Sequence, residues 1–407
     1  RYRYHRPLPM NRLCNAIQPY AWGSRTALGE FLGSQTPADG PEAELWIGAH
    51  PAAPSHISTG DALVDLSDVI RASPVSVGDA VLERFGATLP FLLKVLAANQ
   101  PLSLQAHPSL EDARAGFERE NSLGIPLNAP NRNYRDRNHK PELICALTRF
   151  DALCGFREPS ATLRLFDSLP VPGLGQLLQP LRDAPNAHGL AGTFEAVMSL
   201  ESATSSAVVG DVARACEAAA MRGGEFAEEF SFAAQLAQLY PGDRGVLGAL
   251  LLNLVQLAPG EALYLPAGNL HAYLRGMGVE VMASSDNVLR GGCTSKHVDV
   301  PELLRILDFR SGPVERVTVA RPSRHEEVFI TPAPDFRLSR IRPSGGTLPL
   351  EARGPEILLC TEGTIQVGSA FGKMELSRGQ SVFIAASEGT YELSGQGLIF
   401  RATVGDL

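Results

Sequence analysis

Three short segments carry side chains able to hold a metal ion. Ser103-Leu104-Gln105-Ala106-His107-Pro108 sets an amide and an imidazole two residues apart. In an extended chain residues i and i+2 point to one face, so Gln105 and His107 aim at a common point. Asn138-His139-Lys140-Pro141-Glu142 adds a carboxylate. The run from Gly260 to His271 adds a second imidazole, after an apolar strand and a turn set by Pro266 and Gly268. Two imidazoles, one carboxylate and one amide oxygen suit a divalent metal with an open coordination position. Such an ion acts as a Lewis acid on a substrate oxygen.

The Pro-x-Gly-x-x-His turn, placed six residues after Gly260, resembles the second motif of the cupin barrels. The first cupin motif normally reads His-x-His. Here it reads Gln105-x-His107, and the glutamate lies far downstream. With those departures, Gln105-Ala-His-Pro108, Asn138-His-Lys-Pro-Glu142 and Leu265-Pro-Ala-Gly-Asn-Leu-His-Ala-Tyr273 are similar to the type I phosphomannose isomerase family. Tyr20-Ala-Trp22-Gly23-Ser24, Glu42-Ala-Glu44-Leu-Trp46-Ile-Gly48, Phe91-Leu-Leu-Lys94-Val-Leu96 and Ser285-Asp286-Asn287-Val-Leu-Arg290-Gly291 fit the same family, in the same order. The resemblance runs from about residue 13 to the C-terminus.

It implies a mainly β fold with a helical insertion: two cupin-type β-barrels (jelly rolls) and an α-helical domain. It implies Gln105, His107, Glu142 and His271 as ligands of one zinc per chain, although an amide oxygen is a weak zinc donor. Manganese, cobalt or iron also suit a mixed nitrogen and oxygen set. It further implies interconversion of mannose 6-phosphate and fructose 6-phosphate through a cis-enediol, with Arg290 as the active-site arginine. A guanidinium keeps its charge and forks onto phosphate or an enediolate. Asp286, four residues earlier, is a candidate for orienting Arg290, for proton transfer, or merely for capping a turn. Lys94, Ser103 and Lys296 are the candidates for the phosphate side. Lys140 shares strand parity with Glu142 and is a candidate for acid–base work. The base stays open among Lys140, His139, Asp286 and a metal-bound water. Trp22 and Trp46 read as core, with sugar stacking as the alternative. His50, His56, His188 and His325 lack such context and read as surface or structural. Two other readings, a different sugar-phosphate cupin isomerase and a non-catalytic sugar-binding cupin, are less consistent with the motifs. All four ligands and Arg290 are present.

These residues must be positioned by a sizeable fold. The chain has 407 residues, 44% apolar and 20% charged, with a formal net charge of -8. That is ordinary soluble composition, sufficient for two or three domains, and a poor match for nucleic acid. The longest apolar stretch, 245–257, is interrupted by Asn253 and Gln256 and falls short of the roughly 18–20 residues of a membrane span. With the resemblance, the expected partner is a small sugar phosphate, met by a monomer in the cytoplasm. Cys14, Cys145, Cys154, Cys216, Cys293 and Cys360 are scattered and read as free thiols. Residues 1–9 are basic without an apolar segment, which reads as an over-extended leader before Met10; His5 is left out of the metal count.

Gly and Pro punctuate short apolar runs over 11–58, as in a β-domain. Ser109 caps an expected helix with Glu111 and Asp112 in its first turn. Residues 121–138 read as a loop. Ser160 caps an expected helix to about Leu169, helical periodicity dominates 190–239, Pro241-Gly242 stops it, and Asp243 caps another helix through about Leu254. Periodicity supports the helices, and the resemblance implies that they are an insertion: a catalytic domain of 10–156 with 257–318, a helical domain of 157–256, and a metal-free cupin-like domain of 319–407. Leu257-Ala-Pro-Gly260-Glu-Ala-Leu-Tyr-Leu-Pro-Ala267 aligns without gaps onto Leu376-Ser-Arg-Gly379-Gln-Ser-Val-Phe-Ile-Ala-Ala386, an internal echo that sets Thr390 where His271 stands.

Overall fold

The computed structural model describes residues 10–59 and 62–406; the leader with His5 lies outside the described residues. Two large antiparallel sheets dominate, and a run of helices interrupts the chain between two strands of one of them. The ten-stranded sheet holds the expected ligands. Its centre is the long strand His271–Ala283, which pairs with Phe91–Ala98, Leu104–Ala106, Glu142–Ala146 and Phe150–Phe156. The strand can switch partners because it bulges between Tyr273 and Arg275. Gly276, just beyond, has φ 124°, and a Cβ there would lie 2.5 Å from the Arg149 carbonyl. Only glycine fits that approach.

The helices begin at Pro159–Asp167 and end at Gly245–Leu250. They lie in the chain between Phe150–Phe156 and Leu252–Leu257, two strands that pair with each other. The first helix is capped at Glu158, two residues before the expected Ser160, with Pro159 in its first turn. The last stops at Leu250, not Leu254, because Leu252–Leu257 is taken into the sheet. A short apolar run fits either period, and the partner strand decides. Asp243 does accept from the Gly245 amide at 2.7 Å. Ser109 caps Leu110–Ser122 as expected, accepting from the Asp112 amide at 3.1 Å, a contact of about 1 kcal/mol. The helical core reaches the site from behind: Leu104, Ala106, Leu270 and Leu289 all pack into it.

The eleven-stranded sheet is built from the C-terminal strands and, against the expected division, from Asn11–Cys14, His56–Thr59 and Ala62–Asp65. Asn11 sits opposite Phe383 in register. Burial explains the departure, since Met10 and Leu13 enter cores shared with the C-terminal strands. One apolar cluster joins Leu45, Leu93 and Val281 of one sheet to Ile357, Phe383 and Phe400 of the other. All six cysteines are free.

Candidate metal centre

Each donor comes from a strand end. Gln105 lies in Leu104–Ala106 with His107 just after it, Glu142 opens Glu142–Ala146, and His271 opens His271–Ala283. Register brings them together: Gln105 is opposite His271 on one side and Arg290 on the other. The Pro266–His271 turn is tied down by the Gly268 amide, which donates to the His107 carbonyl at 2.9 Å.

His107, Glu142 and His271 are buried, and their donor atoms lie within 4.8 Å of one another. His107 Nε2 is 3.3 Å from Glu142 Oε1, and His271 Nε2 is 3.4 Å from Glu142 Oε2. Each imidazole donates through Nδ1, His107 to the Asn287 carbonyl at 2.8 Å and His271 to the Asn269 carbonyl at 3.0 Å. Those bonds fix the tautomer and leave each Nε2 lone pair facing Glu142. Both Nε2 atoms and Glu142 Oε2 are buried without a hydrogen-bond partner. Three acceptors crowded together without a donor are costly unless a cation lies among them. The residues therefore fit a divalent metal.

Electrostatics agree with this. Burial lowers the His107 imidazole to about 4, so it stays a neutral ligand. Burial alone would push the Glu142 carboxyl up. Lys140, with Nζ 3.0 Å away, and His107 outweigh it and hold Glu142 well below the usual carboxylate range.

The donors lie beside a cavity of about 640 Å³, lined among others by Trp22, Trp46, Ser103, Gln105, Glu142 and Asp286. Arg135, Arg290 and Lys296 line it too, and no carboxylate pairs with any of the three among the described residues. They feel one another: burial and then Arg135 lower the Arg290 guanidinium, and burial, Arg290 and Arg135 lower the Lys296 ammonium. Three converging cations without a counter-ion make an anion site.

Several expectations need revision. Lys94 does reach the cavity, but its ammonium is held 3.0 Å from Glu280 and 3.4 Å from Glu44, over the Trp46 ring. Glu280 also accepts from the Tyr273 hydroxyl at 2.8 Å. Lys94 is thus already neutralised, unlike Lys296. Lys140 points to Glu142 as parity predicted, while its neighbour His139 turns away to Asp335 at 2.8 Å. Asp286 does not pair with Arg290; its partner is His50, 3.5 Å away. Trp22 and Trp46 both line the cavity while Trp46 is buried, so core and wall are one place.

Sequence reasoning missed Arg135, His50 and Asn287. Asn287 is fully buried, donating to the Asp136 carbonyl at 2.9 Å and the Asn138 carbonyl at 2.8 Å and accepting from the Arg135 amide at 2.7 Å. It therefore ties the loop that carries Arg135 to the carbonyl that orients His107. Only its place in the Ser285–Gly291 block hinted at this.

The internal echo locates the same station in the other sheet. Ala262–Leu265 and His271–Ala283 correspond to Ser381–Ile384 and Thr390–Thr403. Gly260 and Gly379 share a left-handed φ of 89° and 84°. Leu265 faces Glu142, and its counterpart Ile384 faces Glu356. His271 faces Gln105, and Thr390 faces Glu351. Glu356 is buried too, but its charge is met by Arg401 Nε at 2.9 Å and the Tyr391 hydroxyl at 2.7 Å. A protein cation stands in the second sheet where the first offers open acceptors. No second cluster of metal-type donors occurs among the described residues. Arg401→Met is expected to strand Glu356 and cost about 3–5 kcal/mol in chemical denaturation. Thr390→Ala, at an exposed position, should change stability by less than about 1 kcal/mol with turnover per folded molecule intact. An inactive but well-folded Thr390→Ala would contradict the structural role of this sheet.

A sheet-rich protein with a buried two-histidine, one-carboxylate centre beside a cationic cavity defines a metalloprotein that handles a small anionic ligand. Comparison with known proteins narrows the class. The model of the phosphomannose isomerase type I catalytic domain matches residues 10–159. The mannose-6-phosphate isomerase of Escherichia coli K12 is 39% identical over 396 residues, covering 96% of this chain and 99% of that protein. The human mannose-6-phosphate isomerase is 34% identical, with 92% of each chain covered. A zinc-bound crystal structure of mannose 6-phosphate isomerase superposes with a TM-score of 0.90 at 38% identity, covering 98% of this chain and all (100%) of that one. A mutant of phosphomannose isomerase from Salmonella typhimurium also gives a TM-score of 0.90, at 37% identity, covering 98% of this chain and 100% of that chain. The chain belongs to the type I phosphomannose isomerase family.

Proposed function

We propose that this chain is a zinc-dependent isomerase that interconverts mannose 6-phosphate and fructose 6-phosphate. One observation carries the reading: three buried, unpartnered metal-type acceptors cluster at Glu142, which lines a cavity where Arg135, Arg290 and Lys296 have no carboxylate partner among the described residues. Gln105, His107, Glu142 and His271 would hold the ion. When bound, it supplies Lewis-acid stabilisation of negative charge developing on the sugar oxygens at C1 and C2.

The other steps fall to the protein's own residues. A C–H beside a carbonyl is a weak acid, so a proton must be moved between C2 and C1 through a cis-enediol while the charge is held. Arg290, in register beside Gln105, faces that charge as a fixed cation. Arg135 and Lys296, with Ser103, hold the phosphate and turn remote binding energy into orientation. Lys94 is left as a buried counter-ion for Glu280 and Glu44. With His139 bound to Asp335 and Lys140 to Glu142, Asp286 is the group at the cavity wall that moves the proton. Its side chain is 46% exposed and has no lysine or arginine partner.

The sheets are read as two cupin-type barrels. The catalytic one is interrupted by a helical domain of 157–250, and three strands from the N-terminal region, Asn11–Cys14, His56–Thr59 and Ala62–Asp65, belong to the other. The reading is tested with purified protein and mannose 6-phosphate, before and after chelation and zinc addition. Expected are fructose 6-phosphate formation, loss on chelation and recovery with zinc. Activity that survives complete metal removal would sink it.

A further inference from the structure

His50 follows the strand Glu44–Gly48 and is buried, with its ring edge-on to Trp46 at 4.9 Å between centroids. Its Nδ1 accepts from the Ala52 amide at 3.3 Å. A ring nitrogen that accepts an N–H carries no proton, so in the neutral imidazole the proton sits on Nε2. That Nε2 lies 3.5 Å from Asp286 Oδ1, at the long edge of a hydrogen bond, and small rotation of the half-exposed carboxylate closes it. Asp286 is anchored by its backbone, where the amide donates to Asp136 Oδ2 at 2.7 Å, but no other group among the described residues holds its side chain. We propose that His50 is the positioning residue for Asp286: a buried N–H donor that turns the carboxylate toward the substrate and keeps it ready to accept a proton.

The surroundings suit a neutral donor. Burial lowers the proton affinity of His50; Asp286 opposes this, Lys94 and Lys140 add to it, and Asp136 opposes it. Trp46 fixes the ring plane, and Trp46 is itself held by its Nε1 bond to Glu44 at 2.6 Å. The arrangement resembles a catalytic dyad with the roles exchanged, the imidazole orienting and the carboxylate reacting. It rests on the reading of Asp286 as the proton-moving group, and the test separates the two.

His50→Phe keeps a ring against Trp46 and removes the donor; His50→Gln keeps an N–H donor. His50→Leu serves if the phenylalanine variant does not fold. Each is measured for zinc content, kcat, KM and the pH profile of kcat/KM. With the donor gone, kcat should fall about 10- to 100-fold with KM and zinc content little changed. A carboxylate that has lost a hydrogen bond takes up its proton more readily, so the acid limb should move up by about 0.5–1 pH unit. His50→Gln should restore the limb and much of the rate. An unmoved limb with parental kcat in the donor-free variant would overturn the role of His50, provided Asp286→Asn is inactive. An active Asp286→Asn would overturn the reading of Asp286 itself, and the proposal with it. Equal losses in the glutamine and donor-free variants, with the limb unmoved, would make His50 merely structural.

Discussion

His271→Ala should give a folded protein that holds little metal, with turnover reduced on the order of 1,000-fold. The imidazole supplies one of the orphaned nitrogen donors, and alanine cannot replace it. The fold should survive because His271 opens a strand whose register is fixed downstream by Phe91–Ala98. Without metal, variant and parent should differ little in stability, since removing a buried acceptor that faces Glu142 offsets the lost bond to the Asn269 carbonyl and the lost packing. With metal, the parent gains stability by mass action and the variant does not. Metal analysis and thermal denaturation, each with and without zinc, check both halves. Full occupancy with normal turnover would remove His271 from the site.

Arg290→Ala should lower kcat about 100-fold while KM rises less than about tenfold, the pattern of an interaction made chiefly in the transition state. Lys296→Ala should do the reverse, raising KM about tenfold with a smaller change in kcat. The contrast follows from placement. Arg290 sits on a strand directly beside Gln105, whereas Lys296 lies beyond that strand. Parental turnover with only a raised KM in Arg290→Ala would make Arg290 a phosphate clamp instead.

The part of the site that was legible in the sequence is the part governed by short-range geometry. Parity with Glu142 picked out Lys140, whose ammonium does reach that carboxylate, over His139, which turns to Asp335. The echo of 257–276 in 376–395 was also visible, because strand spacing and the flanking glycines, Gly260 with Gly379 and Gly276 with Gly395, were copied even where the ligand was not. What escaped depends on segments far apart in the chain. Arg135 and Asn287 meet across about 150 residues, and His50 and Asp286 across more than 200. No periodicity marks such pairs. The sequence also misplaced two borders for a physical reason. The apolar run after Gly245 fits helix and strand alike, and Asn11–Cys14 had two sheets to choose between. In both cases a partner strand, absent from any local window, made the choice.

The most direct test of the account is a titration of the metal-free protein with zinc, following turnover of mannose 6-phosphate against metal bound per chain. One centre made by Gln105, His107, Glu142 and His271, with Arg401 in its place in the other sheet, predicts activity that climbs from zero in proportion to metal and levels off at one equivalent. Turnover in the metal-free protein, or a plateau reached only at two equivalents per chain, would contradict it.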